Sequence, residues 1–474
     1  LSGGAPFHGV CNVAGGAYRH LPRHRHMVTV ARQLTLLDTW KTADYRPYMA
    51  PIPTHQTLAQ KIIAHAAGVE TVAPGEIVTC KVDLAMIHDS GGPRRVQPIL
   101  EKLGVGVWDP EKVVLISDHY VPAVDAESAR ILDLTRKFAA AQNLPHFYDM
   151  QGICHIVLPE RGHLKPGMFV VGGDSHSPTG GAFGCFMFGI GATDMAGVLA
   201  TGETWVRVPE TIRIEVTGGL PLGVSAKDVM LALCARLGMD GGDYQVVEYV
   251  GDTIAALPMA ERMTLCNMAA ELGAQTGLIA GDETTAEFIQ NAGAAPGDFA
   301  RWQNDADAPV RASHVIDVAA LGPQVAAPHS PANSGPVADT AGTKIDQAYI
   351  GACTGAKLVD LHMAAEVLKG RKVAKGTRFL VAPASQKDMT TAAADGTLAI
   401  LTEAGAIMMP SGCGACAGYG AGILAEHEVC IASTARNFQG RMGATSSDVY
   451  LGNPYTVAAA AVAGEIRDPR EFLA

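Results

Sequence analysis

The run Tyr349-Ile-Gly-Ala-Cys353-Thr-Gly-Ala-Lys357, read with Ser411-Gly-Cys413-Gly-Ala-Cys416, decides how the rest of the chain is read. An apolar stretch ending in Gly-Ala-Cys-Thr-Gly predicts a strand that stops and turns, with Cys353 in the turn. Leu358 to Leu368 has helical spacing. Cys353 is therefore expected where a strand hands over to a helix N-terminus, and backbone N–H groups and the helix dipole there favour a thiolate. Cys413 and Cys416 lie in a glycine-rich loop that can fold tightly around something small. A lone thiol plus a C-x-x-C pair matches neither a four-ligand zinc site nor an ordinary four-cysteine cluster. The set suits an iron–sulfur cube with one iron left open. Buried thiols or a redox dithiol fit the same spacing, although a thioredoxin-type pair opens a helix and has no remote third cysteine. Gly412-x-Gly414-x-x-Ala417 superficially fits a dinucleotide fingerprint, but it follows no clear strand and cysteines fill its variable positions.

At 474 residues the chain exceeds the size at which one core stops growing, so two or three domains are expected. A hydrophobic content of 48% with 18% charged residues is globular, and 53 glycines point to many tight turns. No apolar run reaches the roughly 18 residues that span a membrane. A formal charge of -11 offers no basic face, which argues against nucleic acid as a partner. Ten cysteines, scattered except for one pair and without a secretory signal, point to a reducing, cytoplasmic setting. Cys11, Cys80, Cys154, Cys185, Cys234, Cys266 and Cys430 read as small buried hydrophobes.

Residues 1–55 carry neither helix nor strand periodicity and read as an irregular leader, non-native or disordered. Its histidines His20, His24 and His26 read as solvated, and Met27 or Met49 as natural starts. Regular patterning follows: a helix from Leu58 closed by Gly68, a strand from Glu76 to Leu84, and a helix from Val96 to Leu103. Next come a buried strand at Val113–Ile116, a helix from Ala126 to Ala141 and a strand at Met168–Val171. These make a first α/β unit, 56–208. A second, 209–321, holds a strand at Thr211–Val216, a helix from Ala226 to Leu237 and a helix over 261–272 that puts Asn267 and Glu271 on one face. A Pro/Ala/Ser/Gly-rich linker is expected over 322–343, and a third unit, 344–474, carries the special cysteines. Strands alternating with helices predict α/β domains with mainly parallel sheets, which place ligands at strand carboxyl ends.

Polar chemistry collects at those ends. Asp118-His119 puts a carboxylate beside an imidazole, Asp174-Ser175-His176 does so with a hydroxyl between, and His155 lies in apolar surroundings. Carboxylate–histidine pairs fix a tautomer and raise ring basicity, which suits proton transfer, although each alone also reads as a satisfied core histidine. Arg436-Asn-Phe-Gln-Gly-Arg441 follows a strand, and its guanidinium forks fit carboxylates.

Together these residues resemble the aconitase superfamily, in particular the large subunits of isopropylmalate isomerase and related dehydratases. The matching motifs are Gly173-Asp-Ser-His-Ser with Gly181-Ala-Phe-Gly, Cys266-Asn-Met-Ala-Ala-Glu-Leu-Gly-Ala, Gly351-Ala-Cys-Thr, Cys413-x-x-Cys416 and Arg436-Asn-Phe-x-Gly-Arg441. They run from about residue 57 to 472. The resemblance implies three α/β domains around a 4Fe–4S cluster held by Cys353, Cys413 and Cys416, its open iron acting as a Lewis acid. It pairs His119 with Asp118, His155 with Asp174 and His176 with Glu271, and has the first pair protonate a leaving hydroxyl. Asn267 is placed near the open iron, and Ser175, Arg436, Arg441 and His88 on substrate. The implied reaction is reversible dehydration of a small hydroxy dicarboxylate, with isopropylmalate ahead of dimethylmalate and maleate/malate. In single-chain members a swivelling fourth domain supplies a serine base and another arginine. This chain ends at Ala474, so a separate small subunit is expected to supply them, and the isolated chain is expected to be inactive. Gly355 and Ala435 stand where the family usually has Asn, which points to altered specificity. The other classes left open are a cluster-sensing RNA binder, disfavoured by the acidic balance, and a dithiol redox protein.

Overall fold

The protein is described from a computed structural model over residues 55–473; the readings placed on Cys11, His20, His24, His26, Met27 and Met49 lie outside the described residues. Four sheets organise the described residues. The first has five parallel strands in the order His146–Asp149, Val113–Ser117, Leu84–His88, Phe169–Gly172, Phe186–Gly189. Its strands are largely apolar apart from the half-buried edge strand His146–Asp149, because both faces of the others are covered. Met86, Val114, Ile116 and Val170 face the large central core. Their neighbours Ala85, Ile87, Val113, Leu115 and Val171 face a second, outer core. This is the two-residue period of a strand read on both sides, and each buried Val, Leu or Ile adds about 1.5–3 kcal/mol.

The chain leaves Leu84–His88 toward Val113–Ser117 on one side and later returns to pair Phe169–Gly172 on the other. Such a reversal opens a crevice at the carboxyl ends of the strands. His88 ends one strand, Asp118 and His119 follow the second, and Asp174, Ser175 and His176 follow the third.

A four-stranded parallel sheet, ordered Thr276–Leu278, Val246–Val250, Thr211–Thr217, Ala312–Asp317, forms the second layer. The third sheet has seven strands, ordered Ser334–Pro336, Gln324–Ala326, Asp448–Leu451, Val429–Ala432, Gln347–Ile350, Arg378–Val381, Ile407–Met408. Its last five are parallel and its first two antiparallel additions. Gln347–Ile350 lies beside Val429–Ala432, so Cys353 and Arg436 emerge from neighbouring strand ends. Val114, Ile214 and Ile350, one from each large sheet, belong to a single buried cluster. A two-stranded antiparallel ribbon, Ile77–Lys81 with Glu203–Arg207, stands outside these layers.

Several helices match their sequence reading: Leu58–Ala67 closes at Gly68, while Ala126–Ala141 and Ala226–Leu237 end where the pattern ends. Three readings are corrected. The expected strand from Glu76 to Leu84 is two strands in different sheets, Ile77–Lys81 and Leu84–His88. The expected helix over 261–272 is α-helical only through Met259–Asn267, then winds as a tighter 3₁₀ turn, Met268–Leu272, into Gly273. The expected linker contains the buried strand Gln324–Ala326 and its hairpin partner Ser334–Pro336. Pro, Ser and Asn between them form the hairpin turn, so the composition marked the turn and hid the short strands.

Candidate active site

The first sheet contributes two histidine–carboxylate pairs. His119 Nδ1 lies 2.6 Å from Asp118 Oδ1, both buried, and Asp118 Oδ2 accepts from the Cys154 backbone N–H at 2.7 Å. Burial works against a charged His119 ring; the Cys413 sulfur, when ionised, and the Asp118 carboxylate outweigh it and hold the ring well above the ordinary histidine range. Burial likewise opposes an ionised Asp118, yet His119 and its hydrogen bond hold that carboxyl below its usual range. The His88 ring stacks on His119 at 4.3 Å between centroids, and its Nε2 meets Gly173 O at 3.0 Å.

His155, on the short helix Cys154–Glu160, reaches Asp174 Oδ1 with Nε2 at 2.8 Å. The same oxygen accepts from the His176 backbone N–H at 2.8 Å. Burial is again outweighed, here by hydrogen bonds from His155 and His176, and Asp174 stays well below the usual carboxylate range. The third pair spans two layers. His176 Nε2 lies 3.2 Å from Glu271 Oε1, an oxygen that Arg436 Nε also reaches at 2.6 Å, while Arg436 Nη1 donates to Ser175 Oγ at 2.9 Å. Gly181, in the turn after His176, permits this junction: a Cβ there would come 1.7 Å from Gly277 O of the second sheet.

The third sheet brings the thiols, and the segment leading into the second sheet brings an amide to one of them. Asn267 Nδ2 donates to Cys353 Sγ at 3.1 Å and to Thr179 Oγ1 at 2.8 Å. Cys413 N donates to Asp118 O at 2.8 Å, and Cys413 Sγ stands 3.9 Å from Asp118 Oδ2. Cys416 lies beside the Arg441 guanidinium, and Cys416 and Cys353 are near enough that one charge disfavours the other. The expected helix-dipole activation of Cys353 is overturned for the free thiol. Burial first, then Cys416, pushes it up to about 12, and burial pushes Cys413 up as well. With their protons held this way, Cys353 and Cys413 are poor free nucleophiles until a cation replaces those protons.

Among the described residues, the sets of donor atoms within 4.8 Å of one another are His88/Asp89/Asp118/His119 and His155/Asp174/His176; the three thiols do not close around a single point in this way. A wider guest such as an iron–sulfur cube fits them better than a single ion. Four buried polar atoms around the same space have no partner: His155 Nδ1, Asn267 Oδ1, Glu271 Oε2 and Arg441 Nε. Buried polar atoms are rarely left so, and a polar guest accounts for the group.

All fourteen residues singled out from the sequence lie in or beside this region, most at strand ends or in the loops that follow, with His155, Asn267 and Glu271 on short helical segments. The sequence reading missed Asp89. Its buried carboxylate accepts from the backbone N–H groups of Asp118 at 3.4 Å, His119 at 3.1 Å and Tyr120 at 3.0 Å, and so fixes the segment carrying the first pair. Its position next to His88 was the available signal. Lys227, buried behind the cysteine turn, gave none, because a charge in a helix usually reads as solvated.

The model of the Aconitase family (aconitate hydratase) matches residues 60–344 and 334–464. The 3-isopropylmalate dehydratase large subunit 1 of Methanopyrus kandleri is 48% identical over 420 residues, covering 88% of this chain and 100% of that one. A probable methanogen homoaconitase large subunit of Methanothermobacter thermautotrophicus is 45% identical, covering 87% and 97%. The 3-isopropylmalate dehydratase large subunit of Moorella thermoacetica is 44% identical, covering 88% and 99%. The solved aconitase X of Thermococcus kodakaraensis, at 12% identity over 76% of this chain and 84% of that one, reaches a TM-score of 0.46. With its family match spanning most of the described residues and its relatives matched almost end to end, the chain belongs to the aconitase family, which implies a 4Fe–4S cluster.

Proposed function

We propose that the chain is the large, catalytic subunit of an iron–sulfur hydro-lyase acting on a small hydroxy dicarboxylate. The reaction we favour is that of 3-isopropylmalate dehydratase, the interconversion of 2- and 3-isopropylmalate in leucine biosynthesis. One observation carries the reading: three thiols, three histidine–carboxylate pairs and a paired arginine and serine converge on one space bordered by unpartnered polar atoms. Cys353, Cys413 and Cys416 would hold the cluster. When bound, the cluster supplies a Lewis-acidic iron for the substrate's carboxylate and hydroxyl.

The chain's own residues do the rest. His119 Nδ1 is taken by Asp118, so Nε2 is the atom that delivers a proton to the departing hydroxyl, which leaves as water. Arg436, oriented by Glu271 and Ser175, offers its guanidinium to a carboxylate. Arg441 and His88 line the same space, and Asn267 steadies Cys353. His155–Asp174 and His176–Glu271 hold charge balance around the bound acid. A separate small subunit would supply the base that removes the carbon-bound proton. The two electrons of that C–H bond then form the double bond as the C–O pair leaves.

The homoaconitase names among the relatives support a second reading, the homoaconitase reaction on the same machinery. The deciding experiment is anaerobic reconstitution with iron and sulfide, addition of a small subunit from a relative, and assay against isopropylmalate, homoaconitate, dimethylmalate and maleate. Turnover of isopropylmalate above the others supports the first reading. Preference for homoaconitate moves the assignment to the second. A reconstituted pair inactive on all four acids would overturn the hydro-lyase proposal.

A further inference from the structure

Lys227 opens the helix Ala226–Leu237, yet its side chain is directed inward, and the residue is only 1% exposed. Among the described residues it forms no ion pair. Its ammonium instead donates to two backbone carbonyls, Ser433 O at 2.8 Å and Thr434 O at 2.5 Å. Burying an ammonium in this way is costly unless its protons are taken, so the location asks for a reason beyond packing.

Ser433 supplies one. Its backbone N–H donates to Tyr349 O at 3.0 Å, its Oγ accepts from Gly351 N at 3.0 Å, and Oγ donates to Gly355 O at 3.0 Å. Its carbonyl, already bound by Lys227, also accepts from Thr354 Oγ1 at 3.0 Å. Ser433 thus grips both sides of the turn that carries Cys353. The fit is close: a Cβ on Gly355 would lie 2.3 Å from Ser433 Cβ. Thr434 leads within two residues to Arg436, whose guanidinium goes to Glu271 and Ser175. The cysteine turn and the arginine loop therefore share one brace, and a side chain from the neighbouring layer holds it.

We infer that Lys227 is a positioning residue that fixes the separation between Cys353 and Arg436, and with it the span over which a dicarboxylate is gripped. The inference rests on the function proposed above.

The test uses the full chain, reconstituted anaerobically and combined with the small subunit, as wild type, Lys227→Met and Ser433→Ala. Iron content, the EPR spectrum of the reduced cluster with and without dicarboxylate, and kcat and KM are measured separately. Lys227→Met is expected to retain iron, raise KM about tenfold or more with a smaller change in kcat, and need correspondingly more dicarboxylate to shift the EPR signal. Ser433→Ala is expected to move KM the same way, and it carries the test if Lys227→Met does not fold. A lower melting temperature with unchanged KM and an unchanged EPR titration would make Lys227 merely structural and overturn the inference. Wild type that takes up no iron or dehydrates none of the acids would instead remove the hydro-lyase reading, and this inference would fall with it.

Discussion

Asn267 donates its side-chain N–H to the sulfur of Cys353 across 3.1 Å, although the two stand 86 positions apart and arise from different layers. The amide ends the α-helical part of its segment, where the winding tightens, and its oxygen is left without a partner. Replacing Asn267 with Ala should leave the fold intact and shorten the life of the reconstituted cluster in air by about tenfold. Decay of the visible absorbance after exposure to oxygen measures this, and an unchanged half-life would argue that Asn267 has no bearing on the cluster.

Cys353→Ser tests the ligand assignment itself. A buried hydroxyl does not replace a thiolate on iron. Iron uptake under anaerobic reconstitution should fall well below wild type, and the broad visible band should be lost. Cys154→Ser, altering a buried thiol that also lies near Asp118, serves as the control and should keep both. Equal uptake by Cys353→Ser and wild type would exclude Cys353 as a required ligand.

Asp118→Asn keeps the size of the side chain and removes the charge beside His119 Nδ1. The expected result is a fall in kcat of about 10²–10⁴ with iron content unchanged. Loss of iron in step with activity would point instead to a structural role through the side-chain contact of Asp118 Oδ2 with Cys413 Sγ at 3.9 Å.

A carboxylate pair outside the three histidine–carboxylate pairs, Glu160 and Asp388, sets a pH dependence of stability. Burial first, then the neighbouring Asp388, pushes Glu160 up to about 7, and burial pushes Asp388 up to about 6, while Ser385, Lys387 and Arg161 favour the ionised Glu160. The folded chain therefore holds a proton on Glu160 at pH values where the unfolded chain has released it. Its stability declines as pH rises from the ordinary glutamate pKa through about 7. Glu160→Gln keeps an acceptor for Ser385 Oγ, which donates at 2.8 Å, and should stabilise the protein above neutrality by about 1–3 kcal/mol. Urea unfolding should show that gain at pH 8 and little of it at pH 5. A gain of equal size at both would rule out the proton as its cause.

Gly355→Asn, which restores the commoner residue of the family, should be unfavourable in this chain. Its Cβ meets Ser433 Cβ at 2.3 Å and Ser433 O at 2.5 Å, and overpacking of that kind costs about 1–3 kcal/mol. Adding Ser433→Gly should return part of the loss in a double-mutant cycle. Thermal melts of the two single variants and the double variant measure it, and strictly additive losses would show that the two positions do not interact.

The chemistry-bearing residues were legible because each has a local signature. A cysteine between strand and helix patterns, a carboxylate adjoining a histidine, and paired arginines in a glycine-containing loop are all visible within a few positions. Elements with weak local signatures were not. The strand Leu84–His88 was merged with its predecessor because the alternation of one apolar run continues across the break. Gln324–Ala326 was hidden by the turn-rich composition around it. The helix carrying His155, Cys154–Glu160, contains Pro159 and is too short to show a period.

By itself the sequence determined the kinds of groups present and their local settings: three thiols, three candidate histidine–carboxylate pairs, two arginines and the strand ends that present them. Tertiary structure alone decided which atom meets which. Asp174 serves both His155 and His176, Arg436 shares Glu271 with His176, and Lys227 reaches across a layer to the carbonyls beside the cysteine turn. It also reversed the expectation for Cys353, because the dipole of one helix acts over a single turn while burial acts from every side. Local propensity and residue chemistry are written along the chain. Distances between strand ends and the loss of water around them exist only once the sheets have packed.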